Sequence, residues 1–361
     1  MQRFPCPGCG ADMSFDPKTE ALKCDYCGVT QKVSHPVNQT VVEVSYEEYA
    51  HGAGTMTKIA EKAMELKCDS CGSIFQFQPS EFAGTCPFCA AKIVAQAKAA
   101  DPLIAPNAVL PFGIPRERAV MRVSDWLASR WFAPSGLKRM ARPDGLQGIY
   151  VPFWTYDAHA RSRYLGKRGD YYYETEYVTV QDERGNMVRR PQQVRRTRWS
   201  PASGMVENSF DDVLIPASRS ISPKRLNDLD PWDLEQVKPY EPAYLSGFKA
   251  QRYQVLLPEG LEAAKELMNA GIYHAVRQDI GGDEQQVTGL ETEWSAITFK
   301  HVLLPVWIGA YRFQSKVFQV MVNARTGEVQ GERPYSVGKI VLLIVGVILA
   351  IALFAWLSDH R

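Results

Sequence analysis

Eight cysteines, arranged as four Cys-x-x-Cys pairs, are the residues of this chain best suited to chemistry. Cys6, Cys9, Cys24 and Cys27 form one set, and Cys68, Cys71, Cys86 and Cys89 repeat its spacing. A tetrahedral zinc ion takes four thiolate donors at about 2.3 Å. A Cys-x-x-Cys turn supplies two donors from one tight knuckle, and a short hairpin brings back the second pair. Glycines follow Cys9, Cys27 and Cys71. Each can take the left-handed conformation that turns amide N–H groups toward the thiolates. Two structural Zn2+ sites are expected, each closed by four sulfurs, with no coordination position left for a substrate. The competing reading, redox-active dithiols, fits four pairs at ribbon spacing less well.

These knuckles need elements to hold them. "SFDPKTEALK" and "FQFQPSEFAGT" read as the hairpin arms of two zinc ribbons. Phe4, Phe15, Tyr26, Phe75, Phe77, Phe82 and Phe88 are candidates for their miniature cores. Metal binding would supply folding energy to modules too small to bury a core of their own. The connection between them suggests a short helix from Thr57 onward, running up to Cys68. "AQAKAADPLIAPNAVLPFGIP" is rich in Ala and Pro and reads as a linker into a new domain.

The remainder reads as a β-rich body with helices packed on it. "RERAVMRVSDWLASRWF" places Val120, Val123, Leu127 and Trp131 at helical spacing after Pro115. "PEGLEAAKELMNAGIYHAVRQDI" does so with Leu261, Leu267, Met268, Ile272 and Val276. "GIYVPFWTYDAHARSRYLG" alternates as a strand does, and a hairpin is expected around Arg184, Gly185 and Asn186. "HVLLPVWIGAYRF" and "KVFQVMVNARTGEVQGERP" read as closing strands, with Thr326-Gly327 as a turn. "IYVPFWTYDA" echoes "VLLPVWIGAY", as two equivalent strands would.

No charged residue lies between Ile340 and Leu357. At 1.5 Å per residue this helix would span about 27 Å, close to the apolar core of a bilayer. Trp356 stands where an interfacial anchor would, and Arg333 and Lys339 fit a cytoplasmic flank. "MQRFPCPGCG" does not resemble a signal peptide. The expectation is a single-pass protein of the plasma (inner) membrane with its N-terminal domains in the cytoplasm. The fold class is α+β. Zinc ribbon 1 covers residues 1–35, a linker with a short helix 36–65 and zinc ribbon 2 66–98. The β-rich cytoplasmic domain covers 99–335, and the transmembrane helix 338–357.

The formal net charge of +1 gives no global electrostatic case for nucleic acid. Neither ribbon carries a basic stripe. Arg184, Arg189, Arg190, Arg195, Arg196 and Arg198 do cluster, opposed locally by Asp182 and Glu183. Such a patch can touch anionic headgroups or an acidic partner. No phosphate-binding loop, H-E-x-x-H or G-x-S-x-G motif occurs. His159 and His274 are isolated, and Asp211, Asp212, Glu291 and Glu293 have no catalytic context. The chain is not expected to be an enzyme.

Paired ribbons with "YVPFWTYDA", "RWSPASGMVENSFDDVLIPAS", "DPWDLEQVKPYEPAYLSGF", "VLLPVW" and "NARTGEVQGERP" resemble a bacterial family, over nearly the whole chain. Its members are labelled TFIIB-type zinc-ribbon-containing proteins, and sometimes primosomal protein N′, a replication-restart helicase. A helicase needs a phosphate-cradling loop and an acidic metal-binding motif, which this chain lacks. The resemblance implies a link to membrane stress, beside phage-shock-protein-A-like and stomatin/flotillin-like proteins. The expected function is a membrane-anchored adaptor that recruits cytoplasmic proteins. The alternative is a membrane-tethered nucleic-acid binder using the ribbons and the arginine hairpin.

Overall fold

The fold was obtained as a computed structural model. It describes residues 3–34, 41–50, 64–77, 83–89, 91–94, 98–99, 104–129, 145–181, 185–313, 316–332 and 337–359. Strands β1 (Ser14–Asp16), β2 (Ala21–Lys23) and β3 (Thr30–Lys32) form an antiparallel sheet around the first cysteine set. β4 (Val44–Ser45) and α1 (Tyr46–Ala50) follow. β5 (Met64–Lys67), β6 (Ile74–Phe77), β7 (Ala83–Thr85) and β8 (Lys92–Val94) surround the second set. Then come β9 (Lys98–Ala99), β10 (Ala108–Val109) and α2 (Arg116–Ala128). The body is built from β11 (Gln147–Gln181), β12 (Met187–Pro216), α3 (Pro223–Asn227), β13 (Lys238–Pro239) and β14 (Lys249–Gln251). It is completed by α4 (Leu257–Ile280), β15 (Glu284–Phe313), β16 (Lys316–Asn323) and β17 (Val329–Gly331). The last element is α5 (Val337–Asp359).

β11 is the spine. It pairs antiparallel with β15 from Gln147 to Gly169 and with β12 from Phe153 to Gln181. At about 3.3 Å per residue its length approaches 110 Å. Alternation gives the three strands two faces. One is covered by α4, whose Leu261, Ala264, Met268, Ile272, Val276 and Ile280 are buried at helical spacing. Ala160 and Tyr164 of β11 pack beneath Ile272, Val276 and Ile280. Leu267, expected in that stripe, is instead 53% exposed. The stripe passes through its neighbour Met268, and one residue of helix turns Leu267 some 100° away.

The echo between the two apolar strands is a structural repeat. Ile149–Trp154 and Val302–Trp307 lie side by side, with Pro152 opposite Leu303 and Tyr150 opposite Pro305. β14 runs parallel to β11 at Ile149 and Tyr150, as β10 does to β15 at Val302 and Leu303. The Trp154 indole N–H donates to the Val255 carbonyl at 2.9 Å, just before α4. The Trp307 indole donates to the Ile114 carbonyl at 2.8 Å, just before α2. The Ala217 and Ala324 amides donate to the Pro152 and Pro305 carbonyls, respectively. Two half-units, β10–α2–β11–β12 and β14–α4–β15–β16, are thus related by an approximate two-fold. They exchange helices: α4 packs on β11 and β12, and α2 on β16 and β17.

Three expectations change. The stretch around "NAVLPFG" is no linker, since Ala108, Val109, Leu110 and Phe112 are fully buried and β10 joins the main sheet. Residues 57–63 of the expected short helix lie outside the described residues, and Met64–Lys67 is strand β5. The arms of the second ribbon do not pair with each other among the described residues. β6 pairs with β5 and β14, and β7 with β8, so β14 of the body takes the edge that the ribbon's own hairpin would use.

Candidate metal centres

Each Cys-x-x-Cys turn is built by the same local bonds. The Cys6, Cys24, Cys68 and Cys86 amides donate to the carbonyls of Ala11, Val29, Ser73 and Ala91. The Gly10, Gly28 and Gly72 amides return to the carbonyls of Cys6, Cys24 and Cys68. These glycines sit at φ of 77°, 75° and 73°, the left-handed region that closes the knuckle at little steric cost. The closed turn aims amides at sulfur, as from Gly8 to Cys6 Sγ at 3.3 Å.

Folding brings Cys6, Cys9, Cys24 and Cys27 together, and likewise Cys68, Cys71, Cys86 and Cys89. In each set the four sulfurs lie within 4.8 Å of one another. The Cys6–Cys27 and Cys9–Cys24 sulfurs are 3.4 and 3.5 Å apart, and Cys68–Cys89 and Cys71–Cys86 are 3.6 and 3.7 Å apart. A disulfide needs roughly 2.05 Å. Tetrahedral coordination at about 2.3 Å separates neighbouring sulfurs by roughly 3.8 Å, so the donor sets fit metal ions. The Cys27 and Tyr26 amides hold the Cys24 thiol down at about 7. The Val29 amide pulls on Cys27, but the Cys6 and Cys24 sulfurs outweigh it and push its pKa up to about 12. Sulfurs crowded this way ionise together only with a cation between them.

Neither cluster stands apart from the body. Phe15, 3% exposed, meets Tyr244 edge-on at 5.2 Å, and its amide donates to the Ser246 carbonyl. Burying such a ring is worth about 1.5–3 kcal/mol. Cys6, Met13, Leu22 and Cys24 share one apolar cluster with Val109, Phe112, Tyr150 and Trp307. Phe75 and Phe88 belong to a second cluster with Ile149, Val151 and Leu304. Gln319 of β16 donates to the Phe88 carbonyl. Tyr26 is 85% exposed and Phe4 is partly buried, whereas Phe82 and the Phe77 side chain lie outside the described residues.

A group the sequence did not single out gathers on the spine. Carboxylate oxygens of Glu43, Asp157 and Asp211 lie within 4.8 Å of one another. Lys300 Nζ stands 3.0 Å from Glu43 Oε1 and 2.6 Å from Asp212 Oδ1. Burial pushes the Asp157 carboxyl up to about 6, and Glu43 adds to it against the Asp212 amide. The bond to Asp157 lowers Glu43. Asp157 is therefore the first of the group to take up a proton as pH falls, and Lys300 supplies the cation, so the arrangement is an ion-pair network joining the residue before β4 to the spine. Its one sequence signal is Asp157 interrupting the apolar run "YVPFWTYDA".

The remaining candidates are dispersed. His159 Nδ1 lies 2.9 Å from Ser209 Oγ, and His274 Nε2 3.0 Å from the Gln278 side-chain nitrogen. Glu291 and Glu293 flank Arg163 and Arg161 across the ladder. The arginines do not share one face. Arg189 and Arg195 occupy one side of the β11–β12 hairpin, and Arg190, Arg196 and Arg198 the other. Arg196 is paired with Glu174 and Glu176. Asp182, Glu183 and Arg184 lie outside the described residues. In α5 the apolar run Val341–Ser358 has no buried residue and is long enough to cross a membrane.

The chain is similar to the uncharacterized protein YdjG of Bacillus subtilis (strain 168). The two are 26% identical over 350 residues, covering 95% of this chain and 93% of that protein. No family model matches the chain, and no solved structure does.

Proposed function

We propose that this chain is a non-enzymatic adaptor held in the membrane by α5, with two structural zinc ions shaping the ribbons. The observation that carries it is a wholly exposed apolar helix, Val341–Ser358, beside a body whose core closes without it. Zinc suits the donor sets, because four soft thiolates in tetrahedral array favour it. Four sulfurs complete the shell, so each ion acts on the fold. The ribbons and body then face the cytoplasm and recruit proteins to the inner membrane. The family resemblance extends this reading to membrane stress, with phage-shock-protein-A-like or stomatin/flotillin-like partners.

Fractionation and pull-down test it together. Full-length protein should stay with membranes through high salt and carbonate washes, and protein deleted from Lys339 onward should be released. Surface attraction alone would be stripped by salt. A pull-down in mild detergent should recover protein partners. Full-length protein in the wash, or no partner from stressed or unstressed cells, overturns the reading.

A further inference from the structure

The β11–β12 hairpin outruns the rest of its sheet. β15 begins at Glu284, opposite Gly169, and from Asp170 to Gln181 β11 is paired only with β12 among the described residues. This two-stranded arm extends about 40 Å at ~3.3 Å per residue. The other half-unit has no counterpart among the described residues, since its β15–β16 ladder ends at the Phe313–Lys316 pair. β17 leads toward α5 in the same direction as β15, away from the arm.

The two sides of the arm differ in charge. Asp170, Glu174 and Glu176 share one side with Arg190, Arg196 and Arg198. The opposite side bears Tyr171, Tyr173, Tyr177 and Trp199 with Arg189 and Arg195; its acidic side chain among the described residues is Glu284, at the base of the arm, whose Oε1 accepts from Tyr171 Oη at 2.8 Å. Tyr173 and Tyr177 are 66% and 63% exposed. The Arg195 guanidinium lies 4.2 Å from the Tyr171 ring centre, and Arg189 lies 5.9 Å from that of Tyr177. Both charges are thus carried across from β12 onto β11.

The two edges differ as well. The Tyr171 amide points away from β12, donating to Asp283 Oδ2 at 2.6 Å. By alternation, Tyr173, Thr175, Tyr177 and Thr179 also present N–H and C=O to the side that β15 has vacated. On β12 the outward positions include Pro191 and Pro201, which cannot donate and so guard that edge. The β11 edge, "YYYETEYVTV", has no proline, and its Tyr, Val and Thr favour strand pairing.

We propose that the open β11 edge of the arm takes up an extended acidic segment of a partner protein as an added strand, with its carboxylates against Arg195 and Arg189. This rests on the adaptor reading and names its docking surface. Main-chain pairing supplies affinity, and alternate side chains supply selection. Acids on the aromatic side meet Arg195 and Arg189, which stack on tyrosine rings, while apolar residues on the other meet Val178 and Val194 and avoid Glu174 and Glu176. Tyrosine, tryptophan and arginine are the side chains that anchor protein interfaces. A second copy would set cation against cation. Nucleic acid needs many phosphate contacts, and this side offers two arginines.

The test uses the full chain in nanodiscs of zwitterionic lipid and dye-labelled probes read by anisotropy. An alternating Glu-Val decapeptide should bind, and a Lys-Val decapeptide should not. Arg195→Glu should weaken Glu-Val binding at least tenfold. Thr175→Pro should do the same while leaving the β11–β12 ladder intact, because its N–H points outward. Circular dichroism should confirm that both variants are folded. Absent Glu-Val binding, binding unchanged in both variants, or tighter binding of a single-stranded oligonucleotide overturns the proposal. The cellular pull-down separates the two readings. Partners kept by both variants leave the adaptor standing and sink the arm. Peptide binding at the arm without any cellular partner does the reverse.

Discussion

At the scale of single residues, His301 ties stability to pH. It is 3% exposed, against Trp154 at 4.7 Å and Tyr253 at 5.4 Å between ring centres. Nδ1 lies 2.9 Å from the Ile104 carbonyl, which fixes the proton there, and Nε2 has no partner among the described residues. Burial lowers its pKa to about 4 from an ordinary 6.5. Between those values the unfolded chain binds the extra proton and the folded one does not. Stability is therefore full above pH 6.5 and lost as pH falls through 4, by roughly 3 kcal/mol at the bottom. His301→Gln keeps a donor for Ile104 and does not titrate. Thermal midpoints between pH 7 and 4.5 should fall more steeply for the wild type than for this variant; parallel profiles would refute the assignment. The cysteine ligands were readable because their geometry is local: two knuckles per set, three of the four followed by a glycine. His301 and Asp157 were not, because their surroundings come from segments remote in sequence.

Among elements, the join of α4 to the spine leaves no room for a side chain at Gly260. A Cβ on Gly260 would meet Tyr156 Oη at 2.5 Å and Trp154 Cδ1 at 2.9 Å. Neither can retreat, since Tyr156 donates to the Leu257 carbonyl at 2.6 Å and Trp154 to that of Val255. Gly260→Ala should cost about 1–3 kcal/mol despite the better helix propensity of alanine. Gly271→Ala on the same helix meets only a Phe210 ring edge at 3.2 Å. Its midpoint should hold or rise. Equal losses in chemical unfolding would show that helix propensity, not contact, decides. Both helices and the paired "P-x-W" strands were legible from periodicity. The first half of β15 was not: register shifts at Asp157/His159 and Leu165/Gly166 break its alternation, and its outer side is polar. β10 and β14 escaped notice because each is a short parallel strand defined by a partner far along the chain.

For the whole molecule, the continuity of ribbons and body sets how metal loss is felt. Metal analysis of the full-length protein should find about two zinc equivalents per chain, one per cysteine set. Cys24→Ser should lose one. The loss should lower the thermal midpoint of the body, because Phe15, Leu22 and Cys24 share a cluster with Val109 and Tyr150. A single equivalent, or a body indifferent to chelation, would contradict this. Spacing made the ribbons readable, but their docking was hidden, since it depends on surfaces of the body that no local pattern describes. The exchanged helices make the halves interdependent. A half-unit whose helix caps the other half's hairpin cannot bury its own sheet. Neither half is then a folding unit by itself, and cutting the chain between β12 and β14 leaves two pieces that close only against each other. Within that mutual closure one hairpin is long and its twin short.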